Sequence, residues 1–553
     1  MQFENDIRVL LAQYLPSSTM ELAALLQTPT DSEHGDYAIP CFAFAKQLQK
    51  SPQEIAYELA QTITHPDIAE ARAIGPYINI YLTTQARAKQ AFQTTLQQPK
   101  TNKKVLIEFP SPNTNKPLHL GHLRNMLLGE ATARILEMNG NTVIRVNLNN
   151  DRGIHICKSM LAYDLYANNQ TPQEAGIKSD HFVGKWYVEY AKQQAQQPEL
   201  QEQAQKLLRL WEQKDERTLE LWKKLDAWAK QGFKETYTEL GIFFDKEYNE
   251  HEFYEQAKQF VQEAEQNGIF TRDEQGNTIA ELGALGKKVV LRADGTAVYS
   301  TQDIGLAKLK QQDYAPDEQI YVVGDEQKHY FTQLFAIFDQ LQMKDKRHHL
   351  SYGMISLPSG KMKSREGNVV DCDELLAEMR RLAETELTTR YPELDVQEVQ
   401  HRAKTIGYAA LKFYMLKYDP KTGFVYDAQE SISLEGETAP YIQYAIARIH
   451  SILQEQQPTN QNDYSQYTTP EDITLLRTIT KTKDVIVQAG EQYKPHYIAR
   501  HAITLAQAFT AYYHTHKILG VAHTNERLHL IKKTQEILKE LLNLLGIDAL
   551  EEM

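Results

Sequence analysis

The chain has 553 residues, 42% hydrophobic and 24% charged, with a formal net charge of −13; this is the balance of a soluble globular protein, and at ~150 residues per domain it suggests roughly three or four domains. Its three cysteines, Cys41, Cys157 and Cys372, stand far apart with no C-x-x-C pair, which argues against a disulfide framework or a zinc knuckle and fits a reducing compartment. The N-terminus carries acids early and no stretch approaches ~18 apolar residues, so neither a signal peptide nor a membrane span is expected; the acidic balance does not suggest a wholesale nucleic-acid binder and does not exclude one, because local basic faces decide contact and net charge does not.

In chain order, residues 1–100 read as a small α+β unit. ENDIRVLLAQYL and SPQEIAYELAQTI carry helical apolar spacing. IGPYINIYL alternates and is rich in β-branched and aromatic residues, so it reads as a strand, with Tyr77 and Asn79 on one face. QQPKTNKK, near residues 97–104, reads as a linker. KKVLIEF then reads as a buried parallel strand ending near Glu108. The loop SPNTNKP follows, then an amphipathic helix opening at HLGHLRN and stopping at Asn139-Gly140, then the strand TVIRVNL. Strand, loop, helix and strand make a right-handed βαβ unit. Residues 155–270 are charged and Gln-rich, with KQQAQQPELQEQAQK close to low complexity, and read as a solvated helical insertion. KKVVLRADGTAVYS, QIYVVG and HHLSYGMISL return as sheet, the second half of a Rossmann-type domain. From about 430 onward four apolar-striped segments read as a helical bundle.

In a parallel sheet, ligands bind at the carboxyl ends of the strands, and a helix N-terminus there suits phosphate. His119 and His122 lie at such a helix start. Gly121 between them leaves room for a ligand near the backbone. Imidazole N–H groups plus Lys116 would stabilise charge building on a phosphate during displacement. The bland alternative, two polar residues in a first helical turn, is outweighed by the buried strand before them and the amphipathic helix after.

HLGH resembles the first signature of class I aminoacyl-tRNA synthetases, and PSGKMKSREGN, residues 358–368, resembles their second, a mobile lysine loop. Lys361 matches its first lysine. Ser364 stands where the second is usual, flanked by Lys363 and Arg365, so Lys116 is the natural source of the missing charge. The resemblance implies ATP contacts from Gly121, His119, His122, Lys361 and Lys363, and catalytic roles for His119, His122, Lys116 and Lys361.

SPNTNKPLHLGHLRN and LRADGTAVYSTQDIG look like the arginyl branch of that class. Tyr299 and Asp303 are four apart, hence on one helix face, and a carboxylate is the planar partner that a guanidinium fork meets with two bonds. On spacing alone they would be an ordinary surface pair; the resemblance assigns arginine binding to Tyr299, Asp303, Gln327 and Asn113, with Glu108 for the substrate ammonium. SLEGETAPYIQYAIARIHSI resembles the opening of the anticodon-binding helical domain. Tyr441, Gln443, Tyr444 and Arg448 there suit base stacking, edge reading and phosphate contact, while core packing competes for Tyr441, Tyr444, Tyr512 and Tyr513. Positions matching Tyr77 and Asn79 read a D-loop adenine in the family.

The resemblance therefore implies a multidomain α/β protein: an N-terminal additional domain (1–100), a Rossmann catalytic domain with a helical insertion at about 155–270 (101–425), and an all-α anticodon-binding domain (426–553). It implies arginine–tRNA ligase activity that needs tRNA bound before activation, ATP with substrate-bound Mg²⁺, no structural zinc, tRNA(Arg) and L-arginine as partners, a monomer and a cytoplasmic setting. A cysteinyl enzyme would need cysteine ligands for zinc. A small nucleotidyltransferase would lack the helical bundle, and a non-catalytic tRNA-binding relative would not need His119, His122, Lys116, Asp303 and Lys361 together.

Overall fold

The computed structural model describes residues 32–356 and 370–553, together with residues 9, 12 and 26–29. Nearly all of the helix expected over ENDIRVLLAQYL, and the lysine loop with Lys361 and Lys363, lie outside the described residues.

The N-terminal unit runs β1 (Tyr37–Pro40), α1 (Phe42–Leu48), α2 (Pro52–Thr62), β2 (Ile68–Ile74), β3 (Tyr77–Leu82) and α3 (Thr84–Gln93). SPQE opens α2 as its residue types dictate: the Ser51 side chain accepts from the Glu54 N–H, the Glu54 carboxylate accepts from the Ser51 N–H at 2.9 Å, and proline takes the first turn. Ile78, Ile80 and Leu82 of β3 pack with Phe44, Ile55 and Leu59 in a small core. The sheet order is β1-β3-β2, antiparallel throughout. The stretch expected as one strand is thus a turn at Gly75-Pro76 followed by β3. The partner strand, IAEARAI, escapes a sequence reading because its Ala and Glu are poor strand formers. Asp36 is buried between Arg87 at 2.9 Å and Arg477 at 2.7 Å, an ion pair that joins this unit to the C-terminal bundle. QQPKTNKK is not a loose connector: Gln98 and Thr101 donate backbone bonds to Met138 and Gly140.

The next strands and helices are β4 (Lys104–Glu108), α4 (Leu120–Met138), β5 (Thr142–Asn149), α5 (Ile154–Tyr166), α6 (Ser179–Gln194), α7 (Leu200–Glu212), α8 (Glu216–Leu240), β6 (Lys246–Asn249), α9 (Glu250–Gln266), β7 (Thr271–Arg272), β8 (Thr278–Glu281), β9 (Lys287–Leu291), α10 (Tyr299–Tyr314), β10 (Glu318–Gly324), α11 (Lys328–Gln340) and β11 (Lys346–Tyr352). Five of these strands form a parallel sheet, order β11-β10-β4-β5-β6. Its order reverses between β4 and β10, the switch point where a ligand crevice opens.

Two expectations are corrected here. The segment 155–270 is helical but not merely solvated: Phe182, Trp186, Trp222 and Phe233 are buried in the main core, and β6 within it is an edge strand of the parallel sheet. KEYN is short and mostly exposed, so only backbone pairing marks it as a strand. KKVVL, in turn, joins a separate antiparallel sheet, β7-β8-β9, because an apolar run does not say which strand it will pair with.

Two long helices, α12 (Cys372–Arg390) and α13 (Val396–Leu416), lead to the bundle: α14 (Ala439–Glu455), α15 (Pro470–Glu491), α16 (His496–Thr515) and α17 (Thr524–Leu544). These last are the four helices expected from the apolar stripes. Among the described residues no helix is long and apolar enough to cross a membrane.

Candidate active site

The histidine loop is a helix cap built from imidazoles. His119 is the N-cap of α4, in extended backbone, and its Nδ1 accepts from the N–H groups of Gly121 at 3.1 Å and His122 at 3.4 Å. His122 Nδ1 accepts in return from the His119 N–H at 3.2 Å. With both Nδ1 atoms accepting, this network assigns both protons to Nε2. The rings stack 3.7 Å apart at 27°, so two Nε2–H donors stand side by side at a helix N-terminus. Burial, and then the Lys116 ammonium, push His119 down to about 4; burial, His119 and Lys116 hold His122 well below its ordinary value. Both rings are neutral donors near pH 7. The positive charge at this site comes from Lys116, exposed and 5.2 Å above the Tyr187 ring, and from the helix dipole.

The residues after the two histidines hold this loop against its neighbours. Arg124 is wholly buried and donates to the carbonyls of Gly353 at 2.7 Å, Pro420 at 2.9 Å and Thr422 at 3.0 Å, with Phe424 stacked 4.7 Å from it. Burial lowers its guanidinium to about 10. Asn125 donates to the Val322 carbonyl at 2.6 Å. The chain leaving the lysine loop pairs with this same turn: Leu120 N–H donates to Val370 O and Cys372 N–H to Leu118 O, each at 2.9 Å. Residues 370–372 are therefore fastened to the histidine loop, while Ile355 and Ser356 pair with Phe424 and Val425.

Tyr299 opens α10 and Asp303 sits one turn on, as their spacing requires. Tyr299 is 82% exposed, while Asp303 is half-buried. Desolvation raises the Asp303 carboxyl to about 6; Glu108 pushes the same way, while Tyr330, Lys310 and Lys288 oppose it. The Tyr330 hydroxyl donates to Asp303 Oδ2. Gln327 is exposed just before α11, and Asn113, also exposed, bridges to Asn150 beside β5. Glu108, at the carboxyl end of β4, is not a free carboxylate: Lys310 donates to its Oε2 and Ser111 Oγ lies 3.3 Å from its Oε1. Sequence reasoning missed Lys310 and Tyr330. The signal for Lys310 was its place seven residues after Asp303, on the same helix face; nothing local marked Tyr330.

The expected RNA-contacting residues divide. Tyr77 is exposed at 37% with Phe42 edge-on at 5.8 Å. Asn79 shares that outer face but is buried, its Nδ2 without a partner. Tyr444 is exposed, and the Arg448 guanidinium lies 4.6 Å from its ring and 4.7 Å from that of Tyr513. Tyr441 is half-buried, its hydroxyl donating to Thr510 Oγ1 at 3.0 Å. Gln443 departs from the expectation: it is fully buried and donates to the Asp548 carbonyl at 2.8 Å, so it fastens the chain's end to the bundle instead of facing a base. Tyr512 is core and Tyr513 is not.

Among the described residues, Asp180, His181 and Asp373 bring ligand atoms within 4.8 Å of one another. Lys178 Nζ already stands there, 2.6 Å from Asp373 and 3.5 Å from Asp180, so an ammonium fills the cation's place and the cluster ties α6 to α12. The three cysteines are buried and free.

Residues 85–428 match the family described as tRNA synthetases class I (R), catalytic domain; residues 442–553 match the DALR anticodon binding domain and residues 1–82 the arginyl tRNA synthetase N terminal domain. The chain is 37% identical to the arginine–tRNA ligase of Treponema pallidum subsp. pallidum, over 96% of this chain and 95% of that one. It is 38% identical to the arginine–tRNA ligase of Treponema denticola, over 96% and 94%. Its structure matches Thermus thermophilus arginyl-tRNA synthetase with a TM-score of 0.81 at 28% identity, covering 96% of both chains. The Plasmodium falciparum arginyl-tRNA synthetase, at 19% identity and a TM-score of 0.79 over 96% and 94% of the two chains, shares the fold.

Proposed function

The chain belongs to the class I arginyl-tRNA synthetase family, and on that premise we propose how its residues divide the work. It is an arginine–tRNA ligase: ATP activates L-arginine as arginyl-adenylate with release of pyrophosphate, and the arginyl group passes to the terminal ribose of tRNA(Arg) with release of AMP. One observation carries the assignment of residues. The Lys310–Glu108 ion pair joins the helix bearing Asp303 to the strand feeding the histidine loop, which supports one common crevice for the guanidinium partner and the phosphate donors.

In this reading Asp303 takes the guanidinium fork, Tyr299 and Gln327 close over it, and Asn113 and Glu108 hold the amino-acid end. The arginine carboxylate attacks the α-phosphate in line. The Nε2–H donors of His119 and His122, with Lys116 and Lys361, stabilise the charge that develops, and Gly121 leaves the phosphates room; Lys363 supports the departing pyrophosphate. Mg²⁺ enters with the ATP phosphates as part of the substrate. Neutral imidazoles do this by donating hydrogen bonds, so catalysis is positioning and electrostatics without proton transfer.

We divide the chain into residues 1–100 for the tRNA outer corner, 101–425 for catalysis and 426–553 for the anticodon. Tyr77 and Tyr444 are exposed and, with the half-buried Arg448, suited to stack on bases, with Tyr441 beside them and Asn79 next to Tyr77. A monomer in the cytoplasm is the proposed working form; the free, buried cysteines agree with a reducing setting. Arginine-dependent pyrophosphate exchange, assayed with each standard amino acid with and without tRNA, tests the reading: exchange should need both arginine and tRNA, and exchange driven by another amino acid would overturn it. Tyr77→Ala should raise the KM for tRNA roughly 10-fold, the worth of about one stacked base, without changing the KM for arginine. Equal charging of wild-type tRNA and of a D-loop adenine replacement by the unaltered enzyme would remove Tyr77 from that role.

A further inference from the structure

Asp303 must carry a negative charge where burial opposes one. Glu108 faces it from β4, Lys310 from its own helix, Lys288 from β9 and Tyr330 from α11; Glu250, at the start of α9, feels its charge and is itself pushed up to about 7 by burial. Most of these groups set the charge balance without fixing the direction in which the carboxylate faces. Lys310 is committed to Glu108, and Lys288 stands over the Tyr330 ring, 4.9 Å from its centre. Among the described residues, the Tyr330 hydroxyl is the one side-chain donor bonded to the Asp303 carboxylate.

The Tyr330 ring is itself held. It meets Phe331 edge-on at 5.8 Å and lies under the Lys288 ammonium. A phenol on an anchored ring restrains rotation of the carboxylate it grips. It is also neutral. A lysine or arginine in its place would satisfy Asp303 and then repel the incoming guanidinium, whereas a hydroxyl adds no charge and leaves Oδ1 and a lone pair on Oδ2 open to a two-bond fork.

We propose that Tyr330 is a positioning residue for amino-acid recognition, its hydroxyl orienting the Asp303 carboxylate for the guanidinium fork. This rests on the arginine-activating reading above. Tyr330→Phe tests it, because phenylalanine keeps the ring packing and removes only the donor. In pyrophosphate exchange with tRNA present, the KM for arginine should rise roughly 10-fold, the usual worth of a hydrogen bond to a charged group, while kcat, the KM for ATP and the Tm stay unchanged.

The pH profile supplies a readout that packing alone would not move. Arginine needs Asp303 charged, so kcat/KM for arginine should fall as the pH drops through about 6. The Tyr330 hydrogen bond favours the charged form, so its loss should move that acid limb to higher pH, with no matching move in kcat/KM for ATP. A Tyr330→Phe enzyme with unchanged arginine KM and an unmoved limb would overturn the role. So would equal losses toward arginine and ATP accompanied by a lower Tm, which would make Tyr330 merely structural. Wild-type exchange that depends on a different amino acid would instead overturn the functional reading, and this role with it.

Discussion

Asp303→Ala is expected to abolish arginine-dependent pyrophosphate exchange while leaving tRNA affinity near normal. Removing one partner of a desolvated ion pair costs about 3–5 kcal/mol, or roughly 10²–10⁴-fold in kcat/KM for arginine, because the guanidinium is left in the pocket without its counter-charge. On the proposed assignment the carboxylate also makes the pocket discriminate: a planar fork meets both oxygens, whereas the point charge of lysine meets one at a time. Asp303→Asn should lose nearly as much, since it keeps the shape and loses the charge. Neither change touches the tyrosines proposed to meet tRNA, so binding of tRNA, followed by filter retention or fluorescence, should hold. An arginine KM equal to that of the wild type in either variant would place the guanidinium elsewhere.

The second large effect belongs to the paired histidines. His119→Ala or His122→Ala should each lower kcat by roughly 10²–10³-fold, the usual cost of deleting one donor aimed at transition-state charge, with a much smaller rise in the KM for arginine. Each ring also caps α4, so a loss of about 1 kcal/mol in stability should accompany the kinetic change and be visible as a lower Tm. His122→Gln separates the two, because a glutamine amide reaches the Nε2 position and can restore a donor there; it should recover part of kcat. Since His119 is held at about 4 and His122 well below its ordinary value, neither ring should titrate in the neutral range. An imidazole-like step in kcat that vanished in His119→Ala would contradict the neutral-donor arrangement.

The features legible from the residues were those with a local cause. HLGH after a buried run and before an apolar stripe marked a strand, a loop and a helix start, and all three are present, although the helix expected to be amphipathic is buried on nearly every side. Tyr299 and Asp303 fell on one helix face because four residues make about one turn. The four bundle helices were visible in their apolar stripes. The misreadings have an equally physical origin. β6 was lost in a charged region because an edge strand needs little apolar surface, and KKVVL was given to the wrong sheet because a strand's partner is not written in the strand. Gln443 and Asn79 looked like base readers because a polar side chain beside a tyrosine carries no sign in the sequence of what folding packs over it. Asn79 is buried on the face it shares with Tyr77, and Gln443 is buried against the Asp548 carbonyl.

Composition and periodicity determined the class of fold, and the resemblance of the motifs named the reaction and the residues proposed for catalysis and arginine binding, since each of these depends on neighbours within a few turns or strands. Only the tertiary structure decided the state of those residues. Glu108 meets its lysine across 202 residues of chain, Asp303 its tyrosine across 27, and Gln443 its carbonyl across 105. Charge state and accessibility are set by whatever folding brings alongside a group, and desolvation is a property of the packed interior that no single segment contains.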